Sequence, residues 1–300
     1  MKNEFFLEIS IPTYNRPKSI VSQVRSILPQ LTEEVGLVVR DNKSLIPVKT
    51  LFTEQELQKF KLIENSQNIG GDGNILECFK NSRGRWIWVL GDDDILFDNI
   101  INKVVQFLKS LDEEVCYVNF GAKSSGNFIG FNSFVNEINS PKALGNCFWI
   151  SKCVYRDYLR DNSLLYYYSN LSSMIGQFIC VLKYLENETS GKNVVAISEM
   201  KLFDDSPNDV SWSHIQFIKR TMIALDAFEN KNLLCHSIFK ALLITHLMML
   251  KIMIDKKNIK FKDFISMFFL IQNRYGFYSI IKMTKFLYFK LFVYAIIKLL

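Results

Sequence analysis

Three consecutive carboxylates, Asp92, Asp93 and Asp94, follow an apolar run in the sequence RWIWVLGDDDILFD at residues 85–98. Each of these charges raises the cost of ionising its neighbours, so the three are tolerable together only when they are fully solvated or share a cation. A solvated acidic turn before a helix meets this condition as well as a metal site does, because carboxylates are favoured at helix N-termini. These three residues alone leave both interpretations open.

The first 120 residues, which include the aspartates, show two alternating patterns of apolar residues. Apolar runs typical of strands alternate with stretches whose apolar residues recur at helical spacing, and Thr53 with Glu56 forms a capping-box pair at one helix start. The predicted strands are FLEISIP, EVGLVVRD, FKLIEN, RWIWVL and VCYVNFG. Strict alternation of strand and helix predicts an α/β fold with a Rossmann-like, mostly parallel sheet and helices on both faces.

Polar residues collect where these predicted strands end. They are Pro12 to Arg16 after the first strand, Asp41 to Ser44 after the second, Asn68 to Asn74 after the third and Gly91 to Asp94 after the fourth. In such sheets, ligands bind beyond the carboxyl ends of the strands. The carboxylates of Asp41 and of residues 92–94 would then converge, which favours a shared cation over a solvated turn.

The charge and cysteine patterns argue against nucleic-acid binding and against secretion. The net charge is +6, but the cations are scattered among acids until the last stretch. The six cysteines include no C-x-x-C pair, so a reducing compartment is expected. Glu4 and Glu8 interrupt the apolar stretch that a signal peptide needs, and no window reaches the roughly 18 uncharged apolar residues of a membrane span. We therefore expect a cytoplasmic protein.

Four motifs, each after its predicted strand, carry a family resemblance. With ISIPTYNRP, VVRDNKS, NIGGDGN and WIWVLGDDDIL in this order, the sequence resembles family-two glycosyltransferases with the GT-A fold. Within them it is most similar to abequosyltransferase-like sugar transferases of bacterial surface polysaccharides. The resemblance spans roughly residues 7–120, with a weaker match in NDVSW at 208–212.

This resemblance implies transfer of a sugar from a nucleoside-diphosphate sugar to a hydroxyl of a glycan or lipid-linked acceptor. The reaction would be inverting and metal-dependent, and would serve O-antigen, capsule or lipooligosaccharide biosynthesis. A nucleotide-sugar-fold module that binds at the membrane surface without catalysis is the alternative. A sugar-phosphate nucleotidyltransferase would need a glycine-rich phosphate loop after the first strand. The first glycine of this chain is Gly36, which argues against that class of enzyme.

The resemblance also assigns residues to the donor and the metal. The residues that the resemblance assigns to donor binding are Pro12, Thr13, Tyr14, Asn15, Arg16, Asp41, Asn68, Gly70, Asn74 and Asp92. Relatives often read FLDADD at this place, and Gly91 occupies the position of the first aspartate of that motif. This leaves Asp93 and Asp94 to hold Mn²⁺ or Mg²⁺ against the diphosphate. Oxygen ligands suit these hard ions, and the ion offsets charge on the leaving nucleoside diphosphate.

The catalytic base departs from the family pattern. Many relatives carry a Glu-Asp pair where this chain has Ser169 and Asn170, neither of which takes a proton at neutral pH. The first candidate is Asp161, because it is the acid nearest to the aromatic run LLYYYSNLSS. The alternatives are Asp157, Asp204 and Asp205.

The chain is expected to divide into three regions. Residues 1–125 would bind the donor, residues 126–230 would form the acceptor half of the same domain, and residues 231–300 would form an apolar, basic helical region. From Phe264 to Leu300 there are five cations and no acid. We expect this region to hold the enzyme on the anionic cytoplasmic face of the inner membrane. A packed helical subdomain or a dimer contact is the alternative.

Overall fold

The computed structural model describes residues 3–187, 192–204, 213–224, 233–284 and 287–299. The strands in these ranges are β1 (Phe5–Thr13), β2 (Val35–Asp41), β3 (Lys61–Glu64), β4 (Gly84–Val89), β5 (Val115–Phe120), β6 (Gly126–Ile129), β7 (Cys153–Arg156) and β8 (Val194–Ser198). The helices of the first half are α1 (Pro17–Ile27), α2 (Glu54–Leu57), α3 (Gly71–Asn81), α4 (Ile100–Lys109), α5 (Gly130–Glu137) and α6 (Pro141–Phe148). They are followed by α7 (Asp157–Ser169), α8 (Gly176–Asn187), α9 (His214–Thr221), α10 (Leu233–Asp255), α11 (Phe261–Tyr275), α12 (Phe277–Thr284) and α13 (Leu287–Leu299).

The eight described strands form one mixed sheet in the order β3-β2-β1-β4-β7-β5-β8-β6. β1 pairs in parallel with β2 and β4, and β2 pairs in parallel with β3. This confirms the predicted α/β fold, since each of these strands is followed by a helix that carries the chain back to the edge where the strand began, so that the next strand runs in the same direction. β7 is antiparallel to both β4 and β5 and lies between them.

Two predicted segments differ in detail. The apolar sequence CFWISKCVY predicts a strand, but only its part Cys153–Arg156 forms β7, and residues 150–152 just before it form a short 3₁₀ turn. The aromatic run LLYYYSNLSS begins within the second half of α7, where Tyr167 packs against Phe79 with ring centroids 5.6 Å apart. The capping box at α2 is confirmed, because the Thr53 hydroxyl accepts from the Glu56 backbone N–H and the Glu56 carboxylate accepts from the Thr53 N–H.

The interior strand β1 is buried from Leu7 to Ile11, and its aliphatic residues share one face. Leu7, Ile9 and Ile11 are fully buried, and α1 packs Ile20 and Val24 into the same core. Burial of each such aliphatic side chain stabilises the fold by about 1.5–3 kcal/mol. This core fixes the position of the strand ends that carry the candidate site.

The chain separates into two compact units. The first comprises Met1–Phe131, Asn146–Leu171 and Ile175–Asn208, and it contains the whole sheet. The second comprises Asn132–Gly145, Ser172–Met174 and Asp209–Leu300, and the predicted C-terminal helical region is confirmed there as α10 to α13. Within the described ranges, no helix is both long and apolar enough to span a bilayer. The division into donor and acceptor halves stays a prediction.

Candidate active site

The carboxyl ends of β1, β2, β3 and β4 lie at one edge of the sheet, called the catalytic edge below. Their parallel pairing places Thr13 beside Asp41 and Ser10 beside Val89, so the loops that follow these strands leave the sheet together. β5 and β8 also end at this edge, and the antiparallel β7 begins there. Polar side chains that are far apart in the sequence therefore meet here.

Asp92 is buried at the catalytic edge and is bonded to the first strand. Its Oδ2 accepts a 2.6 Å hydrogen bond from Thr13 Oγ1, and its Oδ1 accepts a 2.8 Å bond from Arg16 Nη1. Burial raises the pKa of the Asp92 carboxyl above its ordinary value, while the Thr13 hydrogen bond and the Arg16 charge oppose this rise. The PTYNR and GDDD motifs are thus joined by direct contacts.

Asp93 is the most solvent-exposed of the three aspartates. Its side chain is 41 % exposed, and its Oδ2 accepts a 2.8 Å bond from the same Arg16 Nη1 that contacts Asp92. One guanidinium therefore offsets charge on two neighbouring carboxylates. This contact explains how the chain tolerates the adjacent charges.

Asp94 faces the segment that precedes β7. Its Oδ2 accepts a 2.5 Å bond from Ser151 Oγ and a 3.1 Å bond from Trp149 Nε1. Burial raises the pKa of the Asp94 carboxyl, and the bonds from Ser151 and Trp149 oppose the rise. Sequence reasoning missed both partners, because it placed them inside a strand and had no signal for their position beside the turn.

The turn Gly91–Asp94 is also held through its backbone. The Gly91 N–H donates to Ser151 Oγ at 2.8 Å. On the other side, the fully buried Gln23 of α1 donates from Nε2 to the Asp94 carbonyl at 2.9 Å and to the Gly91 carbonyl at 3.2 Å. The carboxylates therefore project from a turn whose two ends are fixed by residues of separate elements.

Asp41 lies at the end of β2, buried beside the loop that follows β1. Its Oδ1 accepts from the Ser44 hydroxyl at 2.6 Å and from the Ser44 N–H at 3.1 Å. The Ser44 hydroxyl in turn accepts from the Asn15 N–H at 2.8 Å, and the Leu45 N–H donates to Asn15 Oδ1 at 2.8 Å. The predicted donor residues after β1 and β2 thus form one bonded loop pair, with Pro12 half-buried and Tyr14 exposed beside it.

Asparagines after β2 and β3 form a second bonded group at this edge. Asn42 Nδ2 donates to Asn68 Oδ1 at 2.8 Å and to the Gly70 carbonyl at 3.2 Å. Asn65 Nδ2 donates to Asn42 Oδ1 at 3.1 Å and to Asn74 Oδ1 at 2.9 Å. Gly70 has φ of +81°, a left-handed value that favours glycine. Sequence reasoning did not name Asn65, although its place directly after β3 was the available signal.

The structure places the first base candidates away from the aspartate turn. Asp157 accepts a 2.8 Å bond from Asn3, which precedes the start of β1. Asp161 is paired with Arg160 at 2.7 Å, and Arg160 donates to the carbonyl of Ser82, which precedes β4. Asp157 and Asp161 therefore lie at the edge opposite to the catalytic edge. Being near the aromatic run in sequence did not bring Asp161 to the site, because α7 starts at that opposite edge.

Asp204 is the base candidate that the structure brings to the catalytic edge. Phe203 forms an antiparallel bridge with Leu96, and the Phe97 N–H donates to the Leu202 carbonyl at 3.0 Å. These contacts join the segment after β8 to the segment just after the aspartate turn, and Asp204 follows with an exposed side chain. Asp205 and the NDVSW motif lie outside the described residues.

The residues at the turn fit a divalent ion that is held jointly with a diphosphate. Within the described ranges, no group of three or more His, Cys, Asp or Glu side chains is arranged to hold a metal. Mg²⁺ in phosphate-transferring sites is held by one or two carboxylates, and phosphate and water supply the other ligands. The exposed Asp93 beside Asp94 matches this smaller donor set.

Comparisons with known proteins show which family and which fold the chain is similar to. The Glycosyl transferase family 2 model matches residues 8–172. A curated Escherichia coli relative, UDP-Glc:alpha-D-GlcNAc-diphosphoundecaprenol beta-1,3-glucosyltransferase WfgD, is 24 % identical over 145 residues. That match covers 48 % of this chain and 57 % of WfgD, so the chain matches little more than half the length of its curated relative.

Two solved structures have a similar fold. S. aureus TarS 1-349 in complex with UDP has a TM-score of 0.56 at 16 % identity, covering 82 % of this chain and 70 % of TarS 1-349. The mannosyltransferase PcManGT from Pyrobaculum calidifontis, in complex with GDP-Man and Mn²⁺, has a TM-score of 0.53 at 12 % identity, covering 98 % and 84 %. At these identities the likeness concerns the fold, while the family match covers more than half of the chain. The chain therefore belongs to glycosyl transferase family 2 and has the GT-A fold.

Proposed function

We propose that this chain transfers a sugar from a nucleoside-diphosphate sugar to a hydroxyl of a glycan or lipid-linked acceptor, with inversion at the anomeric carbon. The observation that carries the proposal is the bonded cluster in which Thr13 and Arg16 hold Asp92 and Asp93 at the catalytic edge. It joins two motifs of the family in one site where a diphosphate and a cation can be bound together. The process we propose is surface-polysaccharide biosynthesis at the cytoplasmic face of the inner membrane.

The donor would lie across the loops after β1, β2 and β3. Asp41 ends β2 and Tyr14 follows β1, and the loops after these two strands are bonded to each other, so both residues would contact the nucleoside. Asn68, Gly70 and Asn74 would form the floor below it. The solved complexes of TarS 1-349 with UDP and of PcManGT with GDP-Man support a nucleoside diphosphate as the ligand class.

Asp93 and Asp94 are the residues that would hold Mn²⁺ or Mg²⁺, and the Mn²⁺ in the PcManGT complex supports the use of a divalent ion. The ion would offset the negative charge that develops on the leaving nucleoside diphosphate. Arg16 would contribute in the same sense, because its guanidinium is already at the carboxylates and charge-assisted bonds to phosphate are strong. Ser151 and Trp149 keep the Asp94 carboxylate oriented.

Inversion requires a base that takes the proton of the acceptor hydroxyl. We propose Asp204 for this role, since it follows the segment bonded to Leu96 and Phe97 directly after the aspartate turn. The acceptor would then lie on the β7 and β8 side of the turn. The named substrate of WfgD, a sugar linked to diphosphoundecaprenol, supports a lipid-linked acceptor for this chain.

A thermal-shift screen tests the donor site. Nucleoside diphosphates and nucleotide sugars should raise the unfolding temperature more with Mn²⁺ than without it, because a ligand that binds the native state stabilises it by about 2.7 kcal/mol at 100 times its Kd. Asp93→Asn should abolish the Mn²⁺-dependent part of the shift. Asp98→Asn is the matched control, because Asp98 is an exposed aspartate four residues beyond the turn's Asp94. Equal Mn²⁺ dependence in both variants would remove Asp93 from the site.

Product analysis then separates an enzyme from a binding module. The protein is incubated with the nucleotide sugar that gives the largest shift, with and without a lipid-linked acceptor. Release of nucleoside diphosphate that needs Mn²⁺ and is lost in Asp93→Asn would support transfer or donor hydrolysis. A donor that binds tightly and stays intact under all conditions would favour the non-catalytic alternative.

A further inference from the structure

The proposed transfer reaction leaves one surface of the second unit without a role, the outward side of α10 and α13. Val293 and Ile297 of α13 are 55 % and 72 % exposed, although both are aliphatic. We call this surface the α10–α13 face and define it by Met248 and Ile252 of α10 and Lys290, Val293, Ile296 and Ile297 of α13.

The spacing of these residues makes the exposed stripe of α13 continuous. Lys290, Val293 and Ile297 recur at intervals of three and four residues, so they lie above one another on successive turns. The buried residues Tyr288 and Leu291 occupy the opposite side of the same helix. A helix that is apolar on both sides is typical of a buried or membrane environment rather than of a solvated surface.

Contacts between the two helices extend the stripe onto α10. Tyr294 donates to the Asp255 carboxylate, and Lys251 Nζ lies 2.6 Å from the other oxygen of that carboxylate. Lys251 Nζ also lies 5.2 Å from the centroid of the Tyr294 ring. Lys251 thus offsets the charge of Asp255, which lies beside the face. Met248, which is 51 % exposed, adds apolar surface beside these contacts.

The sequence that carries α13 is basic. From Phe264 to Leu300 the sequence contains Arg274, Lys282, Lys285, Lys290 and Lys298 and no acid. Lys290 and Lys298 are exposed on α13, where Lys290 lies in line with Val293 and Ile297, and Lys298 follows Ile297 in the last turn. Lysine stems are long enough to let the helix sink while the ammonium group stays at the level of phosphates. Aliphatic side chains with flanking lysines are the composition of helices that lie in the surface of an anionic bilayer.

We propose that the α10–α13 face docks on an anionic phospholipid bilayer, with Val293, Ile296 and Ile297 at the boundary between headgroups and acyl chains. Lys290 and Lys298 would contact lipid phosphates. α13 has 13 residues, or about 20 Å of helix, which is shorter than the about 30 Å hydrocarbon core and suits lying in the surface. The docking stands on this surface alone, and only its purpose, delivery to a lipid-linked acceptor, rests on the proposed function.

Vesicle co-sedimentation of the full chain tests the docking. The protein should pellet with phosphatidylcholine vesicles that contain phosphatidylglycerol at low salt, and less with pure phosphatidylcholine or at high salt, because surface charges are screened. The double variant Val293→Ser with Ile297→Ser should bind at least about tenfold more weakly. Each of Lys290→Gln and Lys298→Gln should weaken binding about fivefold. Leu165→Ser is the matched control, because Leu165 is a 73 % exposed leucine on α7 of the first unit, and it should bind as the unchanged chain does.

Three results would overturn the docking. The full chain could stay in the supernatant at low salt, or the double serine variant could bind as well as Leu165→Ser. Sedimentation velocity could instead show a dimer that the serine changes dissolve, which would make the face a contact between two copies. The thermal shift with nucleoside diphosphate tests the transferase proposal independently of the docking. A chain that binds vesicles without responding to nucleotide would retain the docking and reject the transferase function.

Discussion

Arg16 Nη1 lies 2.8 Å from Asp93 Oδ2, and the same nitrogen lies 2.8 Å from Asp92 Oδ1. The arginine thus supplies positive charge where the sequence crowds carboxylates together. A divalent ion bound by Asp93 would compete with this contact, because both cations use the same carboxylate. Donor binding offers Arg16 a replacement partner, since the diphosphate carries its own negative charge.

Replacing Arg16 should therefore separate metal binding from donor binding. In Arg16→Gln, Mn²⁺ alone should bind several-fold more tightly because Asp93 is released, whereas a nucleoside diphosphate with Mn²⁺ should bind about tenfold more weakly because one charge-assisted contact is lost. Isothermal titration calorimetry measures both affinities. Arg25→Gln is the control, because Arg25 lies on α1, which begins directly after Arg16, and pairs with Glu56 at 2.8 Å on the surface. Mn²⁺ affinity that is equal in both variants would show that Arg16 does not compete with the metal.

Gln23 should act as a positioning residue for the aspartate turn. Gln23→Met keeps a side chain of similar length and removes the donors to the Gly91 and Asp94 carbonyls. We expect the Mn²⁺-dependent affinity for nucleoside diphosphate to fall about tenfold while the far-UV circular dichroism spectrum is retained, because small misplacements of a preorganised site are costly. Gln30→Met is the control, since Gln30 also donates to backbone carbonyls, of Ser26 and Phe97, but not to the turn. A thermal shift that falls equally in both variants would indicate a general loss of stability.

The base assignment predicts opposite outcomes for two aspartates. Asp204→Asn should lower kcat by about two orders of magnitude or more and leave donor affinity unchanged, because loss of a general base affects proton transfer and not binding. Asp161→Asn should keep near-normal kcat, since Asp161 pairs with Arg160 at the opposite edge. Steady-state kinetics with a fixed acceptor compare the two variants. A large loss in Asp161→Asn with normal turnover in Asp204→Asn would reverse the assignment.

His246 should make stability depend on pH. It is fully buried in the second unit, where Nε2 lies 2.8 Å from Thr221 Oγ1, and burial lowers the pKa of His246 to about 3. In the unfolded chain this histidine binds a proton near pH 6.5, whereas in the folded chain it stays neutral at that pH. Its contribution to the free energy of unfolding is therefore fully present above about pH 6.5 and is lost as the pH falls toward 3. The slope is at most about 1.4 kcal/mol per pH unit.

Urea unfolding between neutral and mildly acidic pH measures this contribution. His246→Gln should be less stable at neutral pH, because a packed ring is lost, but its stability should fall less steeply on acidification. His214→Gln removes a partly exposed histidine and should change the slope less, because burial lowers the pKa of His214 without burying the ring completely. Parallel pH profiles for the unchanged chain and His246→Gln would contradict the prediction.

Much of the first unit follows from local patterns in the sequence. Apolar runs predicted β1 to β5, helical spacing predicted α1, α3 and α4, and the Thr53 and Glu56 pair predicted the start of α2. These features depend on residues a few positions apart, which is the range over which periodicity and capping act. The rule that ligands bind beyond parallel strand ends then brought Thr13, Arg16 and Asp92 into one predicted site, and their hydrogen bonds confirm that they lie together.

Only the tertiary structure decided which distant residues complete that site. The antiparallel β7 between β4 and β5 brings Ser151 to Asp94 across 57 positions of sequence, and the packing of α1 brings Gln23 to the same turn. The same packing starts α7 at the opposite edge, which separates Asp161 from the carboxylates. The bridge between Leu96 and Phe203 holds the segment just before Asp204 at the catalytic edge. Strand order and direction depend on how whole elements pack on one another, so no local spacing encodes these contacts.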